Sequence, residues 1–236
     1  MKALLVRVGC DQTKRGGRWN SPVEKKNGDF VYIPIPEAAR IQSGLEKPYM
    51  TLSNALKRLG RSLPTHLQNR NMHLDPDFEY LTYGDGRQRA LQIRSKLVKG
   101  DLLVFYAAFA DVRTIRPLVY AIIGIYEIES IQSAISVPKK QWHENAHSRR
   151  KLAQNADDIV VHGRPTTSGR LQRCITIGEY RDRAYRVKKP LLEAWGGLSV
   201  KNGWLQRSAR LPEFLDPPQF YRWFKRQNPI LMKSNN

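Results

Sequence analysis

Two long apolar runs dominate the pattern of hydrophobic and polar positions along this chain. They read LLVFYAAF at 102–109 and LVYAIIGIYEI at 118–128. Strands that are buried on both faces are uniformly apolar, whereas half-exposed strands alternate. The runs therefore predict strands near 101–108 and 117–128 at the centre of a sheet or barrel, joined by the polar segment 110–117.

Shorter apolar stretches predict three more strands, near 2–8, 30–35 and 158–161. Gly9 interrupts the first of them. Prolines end the second, because proline cannot donate a hydrogen bond to a sheet ladder.

Three segments have the apolar spacing of helices. The segment 51–60 has Thr51 in the position of an N-cap and Gly60 at its end. The segment 87–101 ends in a Lys-Gly-Asp turn, and the segment 217–228 begins with a pair of prolines. We expect all three to pack against the sheet.

The pattern is less regular after residue 137. Residues 136–158 predict a helix in their middle, residues 164–170 predict a flexible basic loop, and residues 171–187 fit either a helix or strands. No repeat or low-complexity linker separates this part from the rest. We therefore expect a single domain over 1–236, with a sheet-rich core at 1–136 and a basic C-terminal elaboration at 137–236.

The predicted elements favour an α+β fold with a mixed, barrel-like β-sheet and flanking helices. An open α/β sheet is the alternative. Strands do not alternate cleanly with helices along the chain, which argues against a doubly wound arrangement.

The charge of the chain indicates a polyanionic partner. There are 40 Lys and Arg residues against 21 Asp and Glu residues, a net charge of +19. The excess is densest after residue 138, where 20 basic residues face 8 acidic ones. Proteins with this imbalance typically bind nucleic acid or nucleotides. A solvated basic surface without a specific partner is the alternative.

Two cysteines, Cys10 and Cys174, are too few for a disulfide framework or a zinc knuckle. The first apolar run is too short for a signal peptide. No apolar run approaches the roughly 20 residues that span a bilayer. We therefore expect a cytoplasmic protein with two free thiols and no membrane partner.

The sequence HENAH at 143–147 matches the H-E-x-x-H motif of zinc peptidases. In those enzymes two histidines one helical turn apart bind zinc, and the glutamate acts as general base. A third ligand is needed, and the sequence that follows offers none at a recognised spacing. The basic residues after the motif also disfavour a dication. We predict no metal site, and we keep as an alternative a zinc hydrolase built on His143, Glu144 and His147.

The segment 73–85, HLDPDFEYLTYGD, gathers titratable and aromatic residues into one predicted loop. Histidine and carboxyl groups can act as a general acid and base, and an aromatic ring can stack on a nucleobase. The alternative is a surface loop whose aspartates cap turns. We predict catalytic roles for His73, Asp75 and Asp85, together with His147, and a base-binding role for Tyr83.

Two basic segments are candidates for holding a phosphate or a base. The glycine-rich loop after the first strand offers arginine for phosphate, tryptophan for stacking, and Asp or Asn for base edges. The segment GRPTTSGR at 163–170 offers backbone N–H groups and two arginines, although it lacks the ending of a P-loop. Exposed basic loops are the alternative for both. The predicted binding residues are Arg7, Asp11, Trp19, Asn20, Asn145, Arg149, Arg164, Ser168 and Arg170.

Two family resemblances add to this interpretation. The stretch 97–129 resembles the centre of PUA-like domains, including the EVE and ASCH branches, in which a Gly-Asp turn precedes a strand. That resemblance implies a small β-barrel that binds nucleic acid, often through one flipped or modified base. No cofactor motif is recognisable, since neither G-x-G-x-x-G after a strand nor G-x-S-x-G occurs.

The second resemblance covers most of the chain. The segments LLVRVGCDQT, GRWNSPV, FVYIPIPE, HLDPDFEYLTYGD, GDLLVFYAAF, ENAHSRR and VVHGRPTTSGRL occur in this order. Together they resemble the nucleotide modification associated domain, type three, a family of bacteria, archaea and phages. The resemblance implies a role in DNA base hypermodification or in restriction and phage conflict. It also implies a polar site built from Arg7, Asp11, Asn20, His73, Asp75, Tyr83, Asp85, Asn145, His147 and Arg149.

Three functions follow as hypotheses. The first is an enzyme that acts on a nucleotide or a DNA base, which would require flipping the base out of a duplex. The second is a non-catalytic reader of modified DNA that uses the same pocket. The third is the zinc hydrolase. DNA or a nucleotide is the expected partner, and products of neighbouring modification genes are further candidates. In the motif at 143–147 we expect Asn145, His147 and the basic run 149–151 to face a phosphate or base.

Overall fold

The computed structural model of the protein describes residues 1–114, 116–206 and 208–236. Within these residues a nine-stranded mixed sheet curls into a half-barrel, and helices pack around it. The predicted α+β fold with a barrel-like sheet is confirmed. The likeness to PUA domains stays a prediction.

Most of the described strands belong to this sheet, and β4–β5 and β11–β12 form two small sheets beside it. In chain order the strands are β1 (Ala3–Arg7), β2 (Ser21–Glu24), β3 (Asp29–Phe30), β4 (Ile35–Pro36), β5 (Met72–His73), β6 (Thr82–Asp85), β7 (Leu102–Asp111), β8 (Val119–Ser133), β9 (Ile159–Gly163), β10 (Gly169–Thr176), β11 (Gly178–Arg181), β12 (Ala184–Val187) and β13 (Leu231–Met232).

The described helices are short. The α-helices are α1 (Ser53–Arg58), α2 (Thr65–Gln68), α3 (Arg87–Lys96), α4 (Lys189–Ala194) and α5 (Pro217–Arg226). The 3-10 helices span Tyr49–Leu52, Ala134–Ser136, Lys139–Glu144 and Lys201–Gly203. None of the described helices is long and apolar enough to cross a membrane.

Strands β7 and β8 form the centre of the sheet, as their apolar sequences predict. β7 pairs with β8 in antiparallel fashion and with β1 and β2 in parallel. β8 is long enough to pair with β7 and β10 along its first part and with β9 along its last part. The change of partner along β8 brings β9 and its neighbour β6 around the barrel, and β6 lines the candidate site described below.

Alternate residues of β7 pack into two different hydrophobic cores. Leu103 and Phe105 lie in the core that α3 covers. Leu102 and Val104 lie in the core that α5 covers. Burying each of these side chains stabilises the fold by roughly 1.5–3 kcal/mol relative to exposure. Because both faces are covered, the strand carries no polar alternation.

Helix α5 covers the second core with three buried aromatic side chains, Phe220, Trp223 and Phe224. Asp216 caps the helix, since its carboxylate accepts a hydrogen bond from the Gln219 backbone N–H at 2.9 Å.

The sequence from 171 to 187 forms strands β10, β11 and β12, which resolves the choice left open between helix and strand. The boundary between core and elaboration at residue 136 stays a prediction.

Two predicted elements differ from the structure. The strand expected near 30–35 is divided into β3 and β4, and the stretch between them makes isolated hydrogen bonds instead of a ladder. Pro34 and Pro36 supply no N–H group for a longer ladder. The helix expected over 51–60 begins earlier, as a 3-10 turn at Tyr49. Thr51 is not its N-cap, because the Thr51 hydroxyl donates backwards to the Pro48 carbonyl at 2.8 Å.

Candidate functional site

The candidate site is a pocket of about 610 Å³ beside the curled sheet. The end of β1, strands β5 and β6, and the first turn of α3 form its walls. Charged and titratable residues dominate its lining. They are Arg7, Arg15, His73, Asp75, Asp85, Arg87, Arg89 and His147.

Three side chains from two distant segments converge in this pocket. Pairing of β4 with β5 fixes His73, and Asp75 follows two residues later. The Asp75 Oδ2 atom lies 3.8 Å from His73 Nε2 and 3.6 Å from His147 Nε2. The three residues are 8%, 8% and 6% exposed in chain order. The sequence predicted catalytic roles for all three, and the structure brings them together.

The backbone of β6 and the Asn145 side chain orient Asp75. Both carboxyl oxygens of Asp75 accept from the Gly84 N–H, at 2.9 and 3.0 Å. Asn145 Nδ2 donates to Oδ1 at 3.3 Å. Burial raises the pKa of Asp75 well above its ordinary value, and the Gly84 hydrogen bond offsets this only in part. A carboxyl group in such a setting can serve as a general acid near neutral pH.

A carboxylate holds each histidine from behind. His73 Nδ1 lies 2.7 Å from Glu37 Oε2, and His147 Nδ1 contacts Asp158 Oδ1. A carboxylate can only accept, so these contacts favour the tautomer with the proton on Nδ1 and a lone pair on Nε2. Arg150 Nη2, which can only donate, also lies 3.0 Å from His73 Nδ1, and the shorter Glu37 contact outweighs it. Burial lowers the pKa of both histidines, which favours their neutral forms.

Arg150 connects the two outer carboxylates. Its Nη2 atom donates to Glu37 Oε1 at 2.9 Å, and its Nη1 atom lies 3.9 Å from Asp158 Oδ1. Burial alone would raise the pKa of Glu37, but hydrogen bonds from His73 and Arg150 lower it to about 2. We call this group of six residues the pocket cluster. It consists of Glu37, His73, Asp75, His147, Arg150 and Asp158.

The three outer members of the pocket cluster were not predicted as site residues. Glu37 lies far from His73 in sequence, and the β4–β5 pairing that joins them has no local signal. Asp158 follows an exposed Asp157, and nothing in the sequence distinguishes the two. Arg150 belonged to the basic run expected to face a phosphate, but it pairs with Glu37 instead.

Gly84 permits the close approach of the two halves of the site. A Cβ atom at this position would lie 2.4 Å from His147 Cδ2 and 2.7 Å from Asn145 Oδ1. Both distances are well below van der Waals contact. Gly84 belongs to strand β6 and not to the loop that the sequence predicted for 73–85.

Arg149 has a different role from the predicted phosphate contact. It is only 2% exposed, and its Nη2 atom donates to Asp77 Oδ2 at 2.6 Å. Asn235 Nδ2 donates to the other oxygen of Asp77 at 2.9 Å. We call Asp77, Arg149 and Asn235 the anchor cluster. Its side chains bond to one another, and none of them lines the pocket.

The H-E-x-x-H motif does not form the helix that zinc peptidases use. Lys139–Glu144 is a 3-10 helix, and Asn145 is extended, with φ −142° and ψ 149°. The ring of His143 packs edge-on against Tyr80, whereas His147 faces the pocket. The helix predicted in the middle of 136–158 is therefore only this 3-10 turn. The structure gives no support to a zinc hydrolase built on His143, Glu144 and His147.

Of the predicted residues in the first glycine-rich loop, Arg7 lines the pocket and the others do not. The Asp11 carboxylate accepts from the Thr13 backbone N–H at 2.9 Å and shapes the loop. Asn20 is buried and donates to the Ala108 carbonyl at 3.0 Å. Trp19 is half-buried and packs on a neighbouring hydrophobic cluster. The polar groups that were predicted to read a base thus hold the backbone of the loop.

The second basic segment also lies outside the pocket lining. Arg164 forms ion pairs with Glu127 and Glu129. Ser168 accepts from the Glu127 N–H at 3.0 Å. Arg170 lies 5.3 Å from the centre of the Phe30 ring and donates to a backbone carbonyl near the C-terminus. These contacts explain the polar residues as parts of the fold.

Tyr83 and Asp85 line the pocket beside the convergent triad. The Tyr83 hydroxyl donates to Asp85 Oδ2 at 2.5 Å. Asn145 supports the triad from behind, since its Oδ1 atom also accepts from the His147 N–H at 2.8 Å. These three predicted residues therefore lie in or directly behind the site.

The fold and site define an α+β protein with a buried His–Asp–His triad in an arginine-lined pocket. A family model for nucleotide modification associated domain 3 matches residues 2–213, so the chain belongs to this family and is associated with nucleotide modification. The resemblance stated from the ordered motifs is confirmed. No curated protein and no solved structure matches the chain.

Proposed function

We propose that this protein is an enzyme that modifies the base of a nucleotide, either free or in DNA, in the arginine-lined pocket. The observation that carries the proposal is the convergence of His73, His147 and Asp75, each of which places one ligand atom within 4.8 Å of the other two. Family membership supplies the substrate class. The proposal places the reaction in DNA modification or in restriction and phage conflict.

The arginines of the pocket support binding of a phosphate group. Arg87 and Arg89 lie in the first turn of α3, which contains no acidic residue. The N-terminus of a helix already favours anions, so two cations there destabilise the isolated helix. Arg87 also has a positive φ of 56°, an unfavourable backbone conformation for this residue type. Such local violations are typical of functional sites.

Eight of the residues that line the pocket have a role in this proposal. A neutral histidine with a free Nε2 lone pair can accept a proton, and Asp75 can deliver one. Arg7, Arg87 and Arg89 hold the phosphate, with Tyr83 and Asp85 against the base. A base within a duplex would have to be flipped out to reach the triad.

Mass spectrometry of nucleosides tests this proposal. DNA and deoxynucleotides are incubated with the protein and digested, and the nucleosides are compared with those from an Asp75→Asn reaction. The expected result is a new nucleoside mass that the variant does not produce. An unchanged nucleoside profile with both substrate classes contradicts the enzymatic proposal.

Phosphate binding is tested separately, by calorimetric titration of deoxynucleoside monophosphates. Arg87→Ala is expected to weaken binding about tenfold, because one charge-assisted contact is lost. Arg94→Ala, at an exposed position later in the same helix, serves as the matched control. Equal effects of the two substitutions would show that general charge, and not the pocket, binds the nucleotide.

A non-catalytic reader of modified DNA is the second candidate. The net charge of +19 favours it, because four arginines in the pocket account for only a small part of the basic excess. A reader would bind DNA with a strong dependence on salt and would discriminate modified from unmodified bases. Binding with that discrimination, together with an unchanged nucleoside profile, would favour the reader over the enzyme.

A further inference from the structure

The geometry points to a binding site for one divalent transition-metal ion, such as Zn²⁺ or Fe²⁺, with His73 Nε2, His147 Nε2 and Asp75 as its ligands. This site differs from the zinc motif suggested by the sequence, because His143 and Glu144 take no part in it. It lies in the pocket of the proposed function, but metal binding can be measured without any nucleotide.

The distances fit ligands of a shared ion better than direct hydrogen bonds. Asp75 Oδ2 lies 3.8 Å from His73 Nε2 and 3.6 Å from His147 Nε2. Hydrogen bonds between such atoms are about 2.7–3.2 Å long. Ligand atoms around a tetrahedral ion with bonds of about 2.1 Å are about 3.4 Å apart. The two carboxylate–histidine distances are therefore within a few tenths of an ångström of that value, and one ligand atom from each of the three residues lies within 4.8 Å of the other two.

The hydrogen bonds behind the histidines are those of metal ligands. Each Nδ1–H contacts a carboxylate, Glu37 for His73 and Asp158 for His147, so both Nε2 lone pairs face Asp75. Carboxylates commonly orient metal-binding histidines in this way and increase their basicity. Without a cation, two lone pairs and a carboxylate oxygen would face one another.

The arrangement leaves room for substrate on the ion. Two histidines and one carboxylate are the ligand set of several catalytic zinc sites and of non-haem iron sites, which keep coordination positions open. Here all three side chains line the pocket of about 610 Å³, so an open position would face the space offered to a nucleotide. With the ion bound, the two Nε2 atoms and Asp75 would act as its ligands and not as base and acid, and the ion would supply Lewis-acid or redox chemistry at the reacting atom.

Metal binding by the full-length protein tests the inference. Chelator-treated protein is dialysed against Co²⁺ alone, and the bound metal is measured by mass spectrometry and by its visible absorption bands. The expected stoichiometry is one ion per chain. His73→Asn and His147→Asn are expected to weaken binding at least about 100-fold, because each removes a direct ligand. Asp158→Asn is expected to weaken it about 10- to 100-fold, as other outer partners do.

His143→Asn is the matched control, since His143 belongs to the same sequence motif but contacts Tyr80. It is expected to bind Co²⁺ like the wild-type protein. Circular dichroism and urea unfolding verify that each variant is folded, and Asp157→Asn is the exposed control for Asp158→Asn. Loss of binding in His143→Asn, retention in both ligand variants, or no binding by the wild-type protein would each overturn the inference.

The two proposals can fail independently. Stoichiometric Co²⁺ binding without nucleotide binding would leave the metal site standing and refute the proposed function. Nucleotide modification that persists after complete removal of metal would support the function and refute a metal requirement. Nucleotide titrations are therefore performed on both the chelator-treated and the Co²⁺-loaded protein.

Discussion

The pocket cluster and the anchor cluster are built from neighbouring residues, yet they use buried charge in opposite ways. Asp75 and Asp77 are two residues apart, as are His147 and Arg149. In the anchor cluster, Asp77 and Arg149 bond directly to each other at 2.6 Å. In the pocket cluster, Asp75 lies more than 3.5 Å from both histidine Nε2 atoms.

The two clusters show that one pair of segments can contribute both to the stability of the fold and to a reactive site. Charges that are paired inside the protein fix the two segments against each other. Groups two residues away then face a pocket with their lone pairs available. The first group contributes to the fold, and the second is free to bind a ligand. Substitutions in the two clusters should therefore have different consequences.

The largest expected effect on stability comes from the anchor cluster. Arg149→Ala leaves Asp77, which is 0% exposed, as a buried charge without its cation. Breaking one side of a buried ion pair typically costs about 3–5 kcal/mol in the free energy of unfolding. Urea unfolding measures this loss, with the exposed Arg94→Ala as control. A loss below about 1 kcal/mol would remove the contrast between the clusters, since surface pairs contribute that little.

The next largest expected effect is a loss of activity that leaves the stability of the protein almost unchanged. Asp75→Asn keeps the shape of the side chain and an acceptor oxygen for the Gly84 N–H, so the free energy of unfolding should change by less than about 1 kcal/mol. Nucleotide modification should fall at least about 100-fold, because the reacting carboxyl group is lost. Unfolding curves and product formation are measured on the same preparation. A large loss of stability with normal activity would reverse the assignment of the two clusters.

Gly84→Ala tests the close contact between β6 and the segment that contains His147. The new Cβ atom would lie 2.4 Å from His147 Cδ2, so the histidine must move. Overpacking of this kind typically costs about 1–3 kcal/mol. The free energy of unfolding and Co²⁺ binding should both decrease. Gly86→Ala is the control, because its Cβ meets Asp158 only at 3.5 Å; equal effects would show that steric contact with His147 is not the cause.

The smallest expected effect is a loss of stability at alkaline pH, and it comes from the two buried cysteine thiols. Burial raises the pKa of Cys10 and of Cys174 to about 12, from an ordinary value of 9.0. Above pH 9 the unfolded chain loses these protons while the folded chain keeps them, so stability is full below pH 9 and falls as pH rises towards 12. The expected loss at pH 10 is about 1.4 kcal/mol per thiol, because this pH lies one unit above the pKa of the unfolded thiol.

Urea unfolding between pH 8 and 10 measures this dependence. A Cys10→Ala, Cys174→Ala double variant should show a shallower decline, whatever its starting stability. An identical decline in the two proteins would mean that other groups, such as the buried tyrosines, account for alkaline destabilisation.

The sequence predicted those parts of the molecule that depend on local patterns. The apolar runs located β7 and β8, and the helical spacing located α3 and α5. The dense titratable segment from 73 to 85 located one wall of the pocket. These features follow from burial and spacing, which are visible in short windows.

The sequence could not separate Arg149 from Arg150, or Asp157 from Asp158. These residues lie in irregular backbone, where no period assigns side chains to faces. Glu37 enters the site only through the β4–β5 pairing, a contact between distant segments. The same lack of periodicity explains why the helix predicted in the middle of 136–158 was wrong. Pairings of this kind depend on the folded chain as a whole.

Nuclear magnetic resonance of the five histidines tests the central claim, that this pocket binds the nucleotide, most directly. His73 and His147 line the pocket, while His66, His143 and His162 do not. The ring resonances are assigned with single His→Asn variants and followed during titration with a deoxynucleoside monophosphate. The account predicts saturable shifts of the His73 and His147 signals only. Shifts confined to the other three histidines, or no saturable shift at all, would contradict it.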